Sequence, residues 1–478
     1  MIDLTRRDVL RLGGLALGSA VVGPSLFGCD FRFADPPLLS LARPEPGLAV
    51  AELRAAAAKI SVAERPARVL AYGGSYPGPV IRVRAGETLR LGFTNDLAEE
   101  TNLHFHGLHV DPTVDDPFLH VHPGERHVYE LAIPWDAQGT YWYHPHVHGR
   151  VAVQLFAGLA GAIVVDPPEE IPGLAAAEDH VLVLKDITLV GEAVAPHTAM
   201  DWRTGKRGAL SLVNGRTARA LSTTAGLLRL RLLNASNARF YRLRLEGLPM
   251  LQIASDGGLL ERPVERTEIA LAPGERAELL VPVVRSGSFW LRDLGCGASS
   301  GMGDPGPGAC GAGGAENLLL IVATGATPPP ELPSRLVTIP RLDPAAAREH
   351  QELTLAGGMM GGGGMMGGGG MMGGFTINGR TFDPDRTDVR GTLGATALWQ
   401  VTNAGMMHHP FHLHTYAFQV VDRNGVPEPV RAWKDTVDLA PGDTVRLVVR
   451  YGDFGGRTVF HCHIPEHEDQ GMMGVLEV

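Results

Sequence analysis

The sequence lacks the features that mark several classes of protein. It has no basic stripe and a formal net charge of −10, so nucleic acid is not an expected partner. Beyond residue 28, no hydrophobic run is long enough to suggest a membrane span. Segments with the 3.6-residue period of an amphipathic helix are almost absent as well. With a hydrophobic fraction of 44% and a charged fraction of 20%, the 478 residues predict a globular protein of several domains, built mainly from strands.

Cysteine is scarce, and its four copies occur in different contexts. Cys296 and Cys310 flank a glycine-rich stretch, and in an oxidising compartment they could form a disulfide. Cys29 ends "LFGC", which resembles a bacterial lipoprotein cleavage box, although Phe27 stands where a small residue is usual. A lipid anchor at Cys29 is therefore an open alternative. Cys462 is left without a disulfide partner.

Residues 1–39 are interpreted as an export signal followed by an N-terminal tail. Arg6 and Arg7 precede an uncharged run that contains several glycines, and the pair resembles a twin-arginine signal. A permanent anchor helix is the less favoured alternative, because the run is short and rich in glycine for a membrane span. We expect a periplasmic or extracellular protein.

An internal repeat indicates the domain plan. A Pro-Gly-acid turn that enters an alternating strand occurs three times, at residues 119–133, 269–283 and 437–450. A second repeat is an alternating strand that ends at asparagine, at residues 81–96, 223–236 and 393–405. Strands bounded by turns predict an all-β protein of three β-sandwich domains. The expected boundaries are 40–167, 178–325 and 335–478, with proline-rich linkers between them.

Histidine is concentrated in four H-x-H pairs, two in the first predicted domain and two in the third. Residues two apart on a strand point to the same side, so the two imidazoles of each pair should face together. The middle domain has no such pair. The eight imidazoles could converge on one metal cluster between domains; they are His104, His106, His144, His146, His412, His414, His461 and His463.

A second metal site is predicted on the other side of the strand that carries the last pair. Cys462 must point away from its two histidine neighbours, and His409 and His467 supply imidazoles to the same site. Met472 is the candidate weak axial ligand. Two histidines, one cysteine and a distant methionine form the ligand set of blue, electron-transferring copper. Zinc or hydrogen-bonded core histidines are the alternative, but zinc takes four ligands and does not account for both sets.

These motifs, "HxHG", "HPHxHG", "HPFHLH" and "HCHxxEHEDxGMM", resemble the four copper motifs of the multicopper oxidases, in the same order along the chain. The resemblance is to bacterial laccases and periplasmic cuprous oxidases. It implies cupredoxin-like domains, four copper ions, and the reduction of O2 to water with electrons from one-electron donors. The implied ligands are His409, Cys462, His467 and Met472 for a type 1 copper, His104 and His412 for a type 2 copper, and His106, His144, His463 and His146, His414, His461 for two type 3 coppers.

Two acidic residues match positions where members of this family keep carboxylates near the oxygen-reducing cluster. They are Asp115 and Glu468, and the resemblance implies that they relay protons. The alternative is that Asp115 caps a turn and Glu468 orients a neighbouring ligand.

For the electron donor, the sequence leaves two alternatives open. Residues 357–374 consist of glycine and methionine, and thioethers suit Cu(I). The possible ligands for a substrate copper are Met359, Met360, Met365, Met366, Met371, Met372 and, close to His409, Met407. Gly405, however, stands where the resembling cuprous oxidases have an aspartate. The segment could instead be a flexible flap that controls access for phenolic or aromatic donors.

The chain is expected to act as a monomer. Three functions are open. The first is a multicopper oxidase of the laccase type, and the second is a copper-resistance protein that binds Cu(I) through the methionine-rich segment. The third is a structural cell-division protein of the same family, but members of that type lack the copper ligands that this sequence contains.

Overall fold

The computed structural model describes residues 31–295, 315–325, 328–357 and 374–478. Within these ranges the chain forms strands, three short α-helices and one 3₁₀-helix. None of the helices in the described part is long and apolar enough to cross a membrane. The all-β prediction is confirmed.

The elements follow one another in three groups. The first group contains β1 (Ala42–Glu45), β2 (Leu48–Val62), β3 (Arg65–Tyr72), β4 (Gly78–Arg84), β5 (Thr88–Asn95), β6 (His104–His106), β7 (Arg126–Ala132), β8 (Gly139–His144), α1 (Val151–Ala157) and β9 (Gly161–Asp166). The second contains β10 (Glu178–Ile187), β11 (Leu189–Val190), β12 (Ala193–Val194), α2 (Ala199–Thr204), β13 (Leu210–Val213), β14 (Arg219–Thr223), β15 (Leu227–Asn234), β16 (Tyr241–Leu245), β17 (Met250–Ser255), β18 (Gly258–Arg266), β19 (Ile269–Leu271), β20 (Arg276–Pro282), β21 (Gly287–Asp293) and β22 (Glu316–Ala323). The third contains a 3₁₀-helix (Pro344–Ala346), β23 (Glu349–Ala356), β24 (Thr376–Ile377), β25 (Val389–Arg390), β26 (Thr396–Asn403), β27 (Phe411–Leu413), β28 (Phe418–Arg423), β29 (Val426–Pro427), β30 (Thr436–Val437), β31 (Thr444–Arg450), β32 (Arg457–Cys462), α3 (Pro465–Asp469) and β33 (Met473–Glu477).

Each group forms a sandwich of two sheets. In the first sandwich, the sheet β11-β12-β3-β2-β5-β7, to which β1 is added, faces the sheet β4-β9-β8-β6. In the second, β13-β10-β15-β20-β17-β18 faces β14-β22-β21-β16-β19. In the third, β24-β23-β26-β31-β28-β29 faces β25-β33-β32-β27-β30. The three predicted β-sandwiches are therefore confirmed. The exact boundaries stay a prediction, and the β11–β12 hairpin, which follows β10 in sequence, pairs with β3 of the first sandwich.

Each sandwich has its own hydrophobic core, filled by alternate residues from both of its sheets. In the third, Trp399, Phe411 and Phe460 are fully buried and pack together. The indole N–H of Trp399 donates to Tyr451 at 2.9 Å, so it is buried without losing a hydrogen bond. Burial of a large apolar side chain stabilises the fold by about 1.5–3 kcal/mol relative to exposure.

The repeated Pro-Gly-acid turns have one geometry in all three sandwiches. In each turn the acidic side chain accepts a hydrogen bond from the main-chain N–H three residues earlier. The turn glycine has a positive φ, a conformation that other residues rarely adopt. The glycine N–H then donates to the main-chain oxygen of the asparagine at the end of a neighbouring strand. The three turn glycines and their asparagines are Gly124 with Asn95, Gly274 with Asn234, and Gly442 with Asn403.

The strand-ending asparagine also fixes the loops on either side of the turn. In the third sandwich, the side-chain amide of Asn403 donates to the main-chain oxygens of Met407 at 2.7 Å and Leu439 at 2.9 Å. Asn95 and Asn234 make the corresponding pairs of bonds in the other two sandwiches. Because the loop held by Asn403 leads directly to His409, the sequence repeat connects the fold to the candidate metal site.

Candidate metal centres

Strand pairing brings the H-x-H pairs together within the first and the third sandwich. In the first, β6 and β8 are antiparallel neighbours, and the register puts His104 opposite His144. In the third, β27 and β32 are antiparallel neighbours, and His412 lies opposite His461. The two sandwiches then meet, so that imidazoles from all four pairs form one cluster.

All eight imidazoles of the cluster are buried, with at most 2% exposure. Within an H-x-H pair the ring centroids are 4.8–6.2 Å apart. The first pair lies on β6, and in the other three pairs the second histidine follows the end of its strand, yet both rings still face the cluster. Across the domain junction, the rings of His104 and His414 stack at 3.8 Å, and those of His106 and His412 do the same.

The shortest nitrogen-to-nitrogen distances join the imidazoles into three groups, while within 4.8 Å His104 also groups with His414 and with His106 and His144. In the first group, His104 Nε2 lies 3.4 Å from His412 Nε2. In the second, His106 Nδ1 lies 3.4 Å from His144 Nε2 and 3.2 Å from His463 Nε2.

The third group is centred on His461, whose Nε2 lies 3.2 Å from His146 Nε2 and 3.0 Å from His414 Nε2. The three groups have the same members as the sets that the sequence resemblance implies for the type 2 copper and the two type 3 coppers. The ligand assignment remains a prediction, and the donor set fits it.

Hydrogen bonds select the protonated nitrogen of five imidazoles. His104 Nδ1 donates to Asp115 at 2.9 Å, and His106 Nε2 donates to Asp435 at 2.9 Å. Main-chain oxygens accept from the Nδ1 atoms of His412, His144 and His461, at 2.8, 3.0 and 3.0 Å. In each case the nitrogen that faces the other imidazoles is left with its lone pair, which is what a metal ligand requires.

The electrostatics of the cluster also favour neutral imidazoles. Burial lowers the pKa, and in each ring the neighbouring imidazoles add to the effect, for His104, His106, His144, His146, His414, His461 and His463. For His146 the pKa falls to about 3. A group of neutral, buried nitrogen donors is suited to a transition metal rather than to a network of charged histidines.

Asp435 is a site residue that the sequence reasoning missed. Burial alone would raise the pKa of its carboxyl group, but the Arg276 guanidinium and His106 outweigh burial and hold the pKa well below its usual range. It lies just before the third Pro-Gly-acid repeat. No periodicity or motif distinguishes it there from a turn-flanking acid, since its partners come from distant parts of the chain.

The second predicted site lies on the other side of β32. Cys462 Sγ is 3.5 Å from His409 Nδ1 and 3.6 Å from His467 Nδ1, and the two Nδ1 atoms are 3.2 Å apart. All three residues are fully buried. Met472 is also buried, and its main chain bonds to both sides of the site: its N–H donates to His467 O, and its oxygen accepts from Cys462 N.

The surroundings of this site are apolar. Phe375 stacks on the His467 ring at 3.9 Å, and Ile464 N donates to Cys462 Sγ at 3.5 Å. Burial raises the pKa of the Cys462 thiol and lowers the pKa of His409 to about 3. A bound metal would therefore have to displace the thiol proton, because a cysteine binds metal as the thiolate.

The two predicted proton-relay acids lie against the histidine cluster. Asp115 accepts from His104 with one oxygen and from Phe105 N, at 3.0 Å, with the other; burial raises the pKa of its carboxyl group to about 7. Glu468 lies 3.4 Å from His146 Nε2 and 3.3 Å from His461 Nδ1, and burial raises its pKa as well. Both acids are almost completely buried.

Several predicted residues fall outside the part of the chain that the structure describes. They are the export signal, Cys29, Cys296 and Cys310, and six candidate methionines, Met359, Met360, Met365, Met366, Met371 and Met372. Met407 is described, and it packs against the core of the third sandwich. Gly405 lies beside the second site, since a Cβ atom on it would be 3.0 Å from His409 Nε2.

A buried histidine cluster that spans two sandwiches, joined by His461-Cys462-His463 to a Cys/His/His site, is the arrangement of the class of copper proteins that combine a blue site with a copper cluster. Family models described as multicopper oxidase match residues 54–170, 184–306 and 352–478. The chain belongs to the multicopper oxidase family, which makes it a copper-dependent oxidoreductase with cupredoxin-like domains.

Individual relatives carry several names. The chain is 30% identical over 421 residues to multicopper oxidase mco of Staphylococcus aureus, covering 86% of this chain and 83% of that protein. It is 27% identical over 489 residues to laccase of Bacillus subtilis, with coverage of 86% and 90%. It is also 29% identical over 494 residues to cell division protein FtsP of Yersinia pestis, with coverage of 99% and 98%. Among solved structures, the multicopper oxidase of Campylobacter jejuni, described as a metallo-oxidase, has a TM-score of 0.83 and 31% identity, covering 95% of this chain and 97% of that one.

Proposed function

We propose that the protein is an exported oxidase of the laccase type. It would couple one-electron oxidation of phenolic or aromatic donors, or of Cu(I), to the four-electron reduction of O2 to water. The observation that carries the proposal is the placement of three consecutive residues at the end of β32. His461 and His463, the residue after the strand, belong to the histidine cluster, whereas Cys462 between them belongs to the blue-type site.

The assigned residues would hold four copper ions. His409, Cys462, His467 and Met472 would hold a type 1 ion, His104 and His412 a type 2 ion, and the groups around His106 and His461 two type 3 ions. When bound, copper supplies the one-electron redox steps and the site at which O2 is reduced. The chain supplies neutral nitrogen donors, a buried thiol and a covalent connection of one residue between the two sites.

Asp115 and Glu468 are proposed to hold and pass protons next to the cluster. Water formation consumes four protons for each O2, and the cluster is enclosed by buried side chains. A carboxyl group whose pKa is about 7 can carry or release a proton near neutral pH, which suits Asp115 to this role. Glu468 contacts two imidazoles of the third group and is therefore placed to serve the other side of the cluster.

The choice of donor can be tested through oxygen uptake by the copper-loaded protein. Uptake would be measured with a Cu(I) complex and with a simple phenol, before and after deletion of residues 359–372. If only Cu(I) turnover collapses, the segment delivers cuprous ion and the enzyme is a cuprous oxidase. If Cu(I) turnover persists and phenol oxidation is unchanged or faster, the segment is a flap and the enzyme is a laccase.

Two other roles for the same fold have specific support. A copper-resistance protein that mainly binds Cu(I) is favoured by the six methionines of the glycine-rich segment; binding of more than four copper ions that survives Cys462→Ser would support it. A cell-division role is favoured by the FtsP relative. The complete set of candidate ligands argues against a purely structural role, and absence of oxidase activity in the copper-loaded chain would support one.

The proposed location and assembly rest on the sequence alone. We propose export to the periplasm or the extracellular space by the twin-arginine-like signal, with a lipid anchor at Cys29 as the alternative to simple cleavage. A monomer with domains at 40–167, 178–325 and 335–478 remains our expectation.

A further inference from the structure

The second sandwich supplies no predicted copper ligand, yet one of its side chains reaches the histidine cluster. Arg276, the first residue of β20, is fully buried at the junction of the three sandwiches. Its guanidinium makes a two-pronged contact with Asp435 of the third sandwich. Nη1 lies 2.8 Å from Oδ1, and Nη2 lies 2.6 Å from Oδ2.

Asp435 in turn contacts imidazoles of two different groups. Its Oδ1 accepts from His106 Nε2 at 2.9 Å, and its main-chain oxygen accepts from His412 Nδ1 at 2.8 Å. Thr436 Oγ1 lies 3.2 Å from each of the same two nitrogens. One short segment therefore determines which nitrogen of both rings is protonated, and so which nitrogen faces the cluster.

Arg276 is itself held on every side. Nε donates to Thr140 O at 3.1 Å, Nη1 donates to Gly274 O at 3.1 Å, and Nη2 donates to Asp256 O at 2.7 Å. A guanidinium with this many fixed acceptors cannot turn without breaking buried hydrogen bonds, each of which is costly to leave unmade. The Asp435 carboxylate is therefore presented to His106 in one fixed orientation.

The residue after His106 is also adapted to this pair. Gly107 has a positive φ of 88°, and a Cβ atom there would collide with both the Arg276 guanidinium and the Asp435 carboxylate. The glycine of the first H-x-H-G motif thus gives the ion pair access to the back of the imidazole. This requirement concerns packing around the cluster rather than metal binding itself.

We propose that Arg276 and Asp435 are positioning residues for the histidine cluster. This role rests on the proposed function. The two residues hold His106 with Nδ1 turned toward the type 3 group and His412 with Nε2 turned toward the type 2 group. The middle sandwich thereby sets the geometry of a copper cluster to which it contributes no ligand. Partners of this kind orient ligands and increase their basicity, and losing one typically lowers metal affinity about 10- to 100-fold.

A purely structural ion pair would have a different effect, and the chain contains a matched control. Arg231 is equally buried, and it also joins the first two sandwiches: Nε lies 2.7 Å from Asp179, and Nη1 lies 2.8 Å from Glu278 and 3.3 Å from Thr140. Asp179 and Glu278, its ion-pair partners, bond to no histidine of the cluster, unlike Asp435, although Thr140 is shared with Arg276. Arg231→Lys should therefore lower the melting temperature without changing copper at the cluster.

The test compares Arg276→Lys, Asp435→Asn and Arg231→Lys with the wild type, each as the full copper-reconstituted chain. Copper per chain, the type 2 electron paramagnetic resonance signal, the near-ultraviolet band of the type 3 pair and the blue type 1 band would be measured during titration with a chelator. We expect Arg276→Lys and Asp435→Asn to keep the blue band but to lose cluster copper at a chelator concentration about 10- to 100-fold lower. Arg231→Lys should keep all signals.

The proposal is overturned if both junction variants retain wild-type cluster signals and chelator resistance, or if Arg231→Lys weakens the cluster to the same extent. If Asp435→Asn does not fold, Asp435→Glu replaces it, since it keeps the charge and moves the carboxylate by one methylene. A wild-type chain without type 2 and type 3 signals would instead refute the proposed function.

Discussion

His461 and Cys462 are adjacent on β32 and serve two different sites. His461 Nε2 lies 3.0 Å from His414 Nε2 in the histidine cluster, whereas Cys462 Sγ lies 3.5 Å from His409 Nδ1 on the other side of the strand. Because neighbouring residues of a strand point in opposite directions, a single peptide unit separates the two sites. An electron taken up at the Cys462 site would thus have a short covalent route to the cluster.

The first prediction concerns the thiolate. Cys462→Ser should abolish the blue absorption, because a hydroxyl group is a poor ligand for a site that depends on sulfur. Copper at the cluster should remain, since Cys462 groups with His409 and His467 and with none of the eight cluster histidines. Absorption and electron paramagnetic resonance of the copper-loaded variant would test this, and an unchanged blue band would sink the type 1 assignment.

The second prediction concerns Asp115. Asp115→Asn keeps the side-chain volume and one of the two acceptor oxygens that face His104 Nδ1 and Phe105 N, but removes the exchangeable carboxyl proton. In stopped-flow experiments, reoxidation of the reduced enzyme by O2 should slow by about 10²–10⁴-fold, the usual contribution of a positioned acid or base. Reduction of the blue site by donor should change little. Equal slowing of both half-reactions would refute the relay.

The third prediction uses the copper-free protein. The folded pKa of Asp115, about 7, lies above the ordinary value of 3.8 for an aspartate, so ionisation of this residue opposes folding. Stability should therefore fall as pH rises from about 4 to about 7, by up to about 4 kcal/mol, and Asp115→Asn should remove that part of the decline. Denaturant unfolding of both proteins at about pH 4.5 and about pH 8 measures the difference. Parallel pH profiles would show that Asp115 is not the group responsible.

The fold and the two candidate sites could be anticipated from the sequence to different extents. Strand alternation is a local rule, so the H-x-H spacing was enough to group the imidazoles of each pair and to separate Cys462 from its neighbours, although only the first pair lies wholly on a strand. The Pro-Gly-acid and asparagine repeats similarly reported three sandwiches, because each turn is closed by residues three positions apart.

Long-range contacts were not accessible in the same way. Arg276 and Asp435 meet His106 only after three sandwiches have docked. Arg276 lies in the second Pro-Gly-acid repeat, where Arg126 occupies the same position of the first copy, so the repeat does not distinguish it, and Asp435 lies outside the repeats. The pairing of β12 with β3 is another such contact, since it adds a hairpin that follows β10 to the sheet of the first sandwich. Sequence spacing carries no information about either.

The fourth prediction concerns Gly405. Within the described part of the chain His409 Nε2 has no hydrogen-bond partner, and a Cβ atom at Gly405 would lie 3.0 Å from it. Gly405→Asp should bring a carboxylate to this N–H, make the imidazole a stronger donor and stabilise the oxidised site. The type 1 potential should then fall by on the order of 50 mV, close to the 59 mV that corresponds to a tenfold change for one electron. Gly405→Asn is the control for added bulk, and an equal shift in both variants would contradict an effect of charge.

The fifth prediction separates stability from site geometry with two equivalent asparagines. Asn403 and Asn234 each donate two side-chain hydrogen bonds to loop carbonyls in their own sandwich. Replacing either by alanine leaves two carbonyl groups without their donor, so each variant should lose about 2–4 kcal/mol of unfolding free energy. Only Asn403 holds the loop from Met407 that leads to His409, so only Asn403→Ala should also shift or broaden the blue band. If both variants changed the band, or neither did, the loop contact would be a stability feature common to the three sandwiches rather than a support for the blue site.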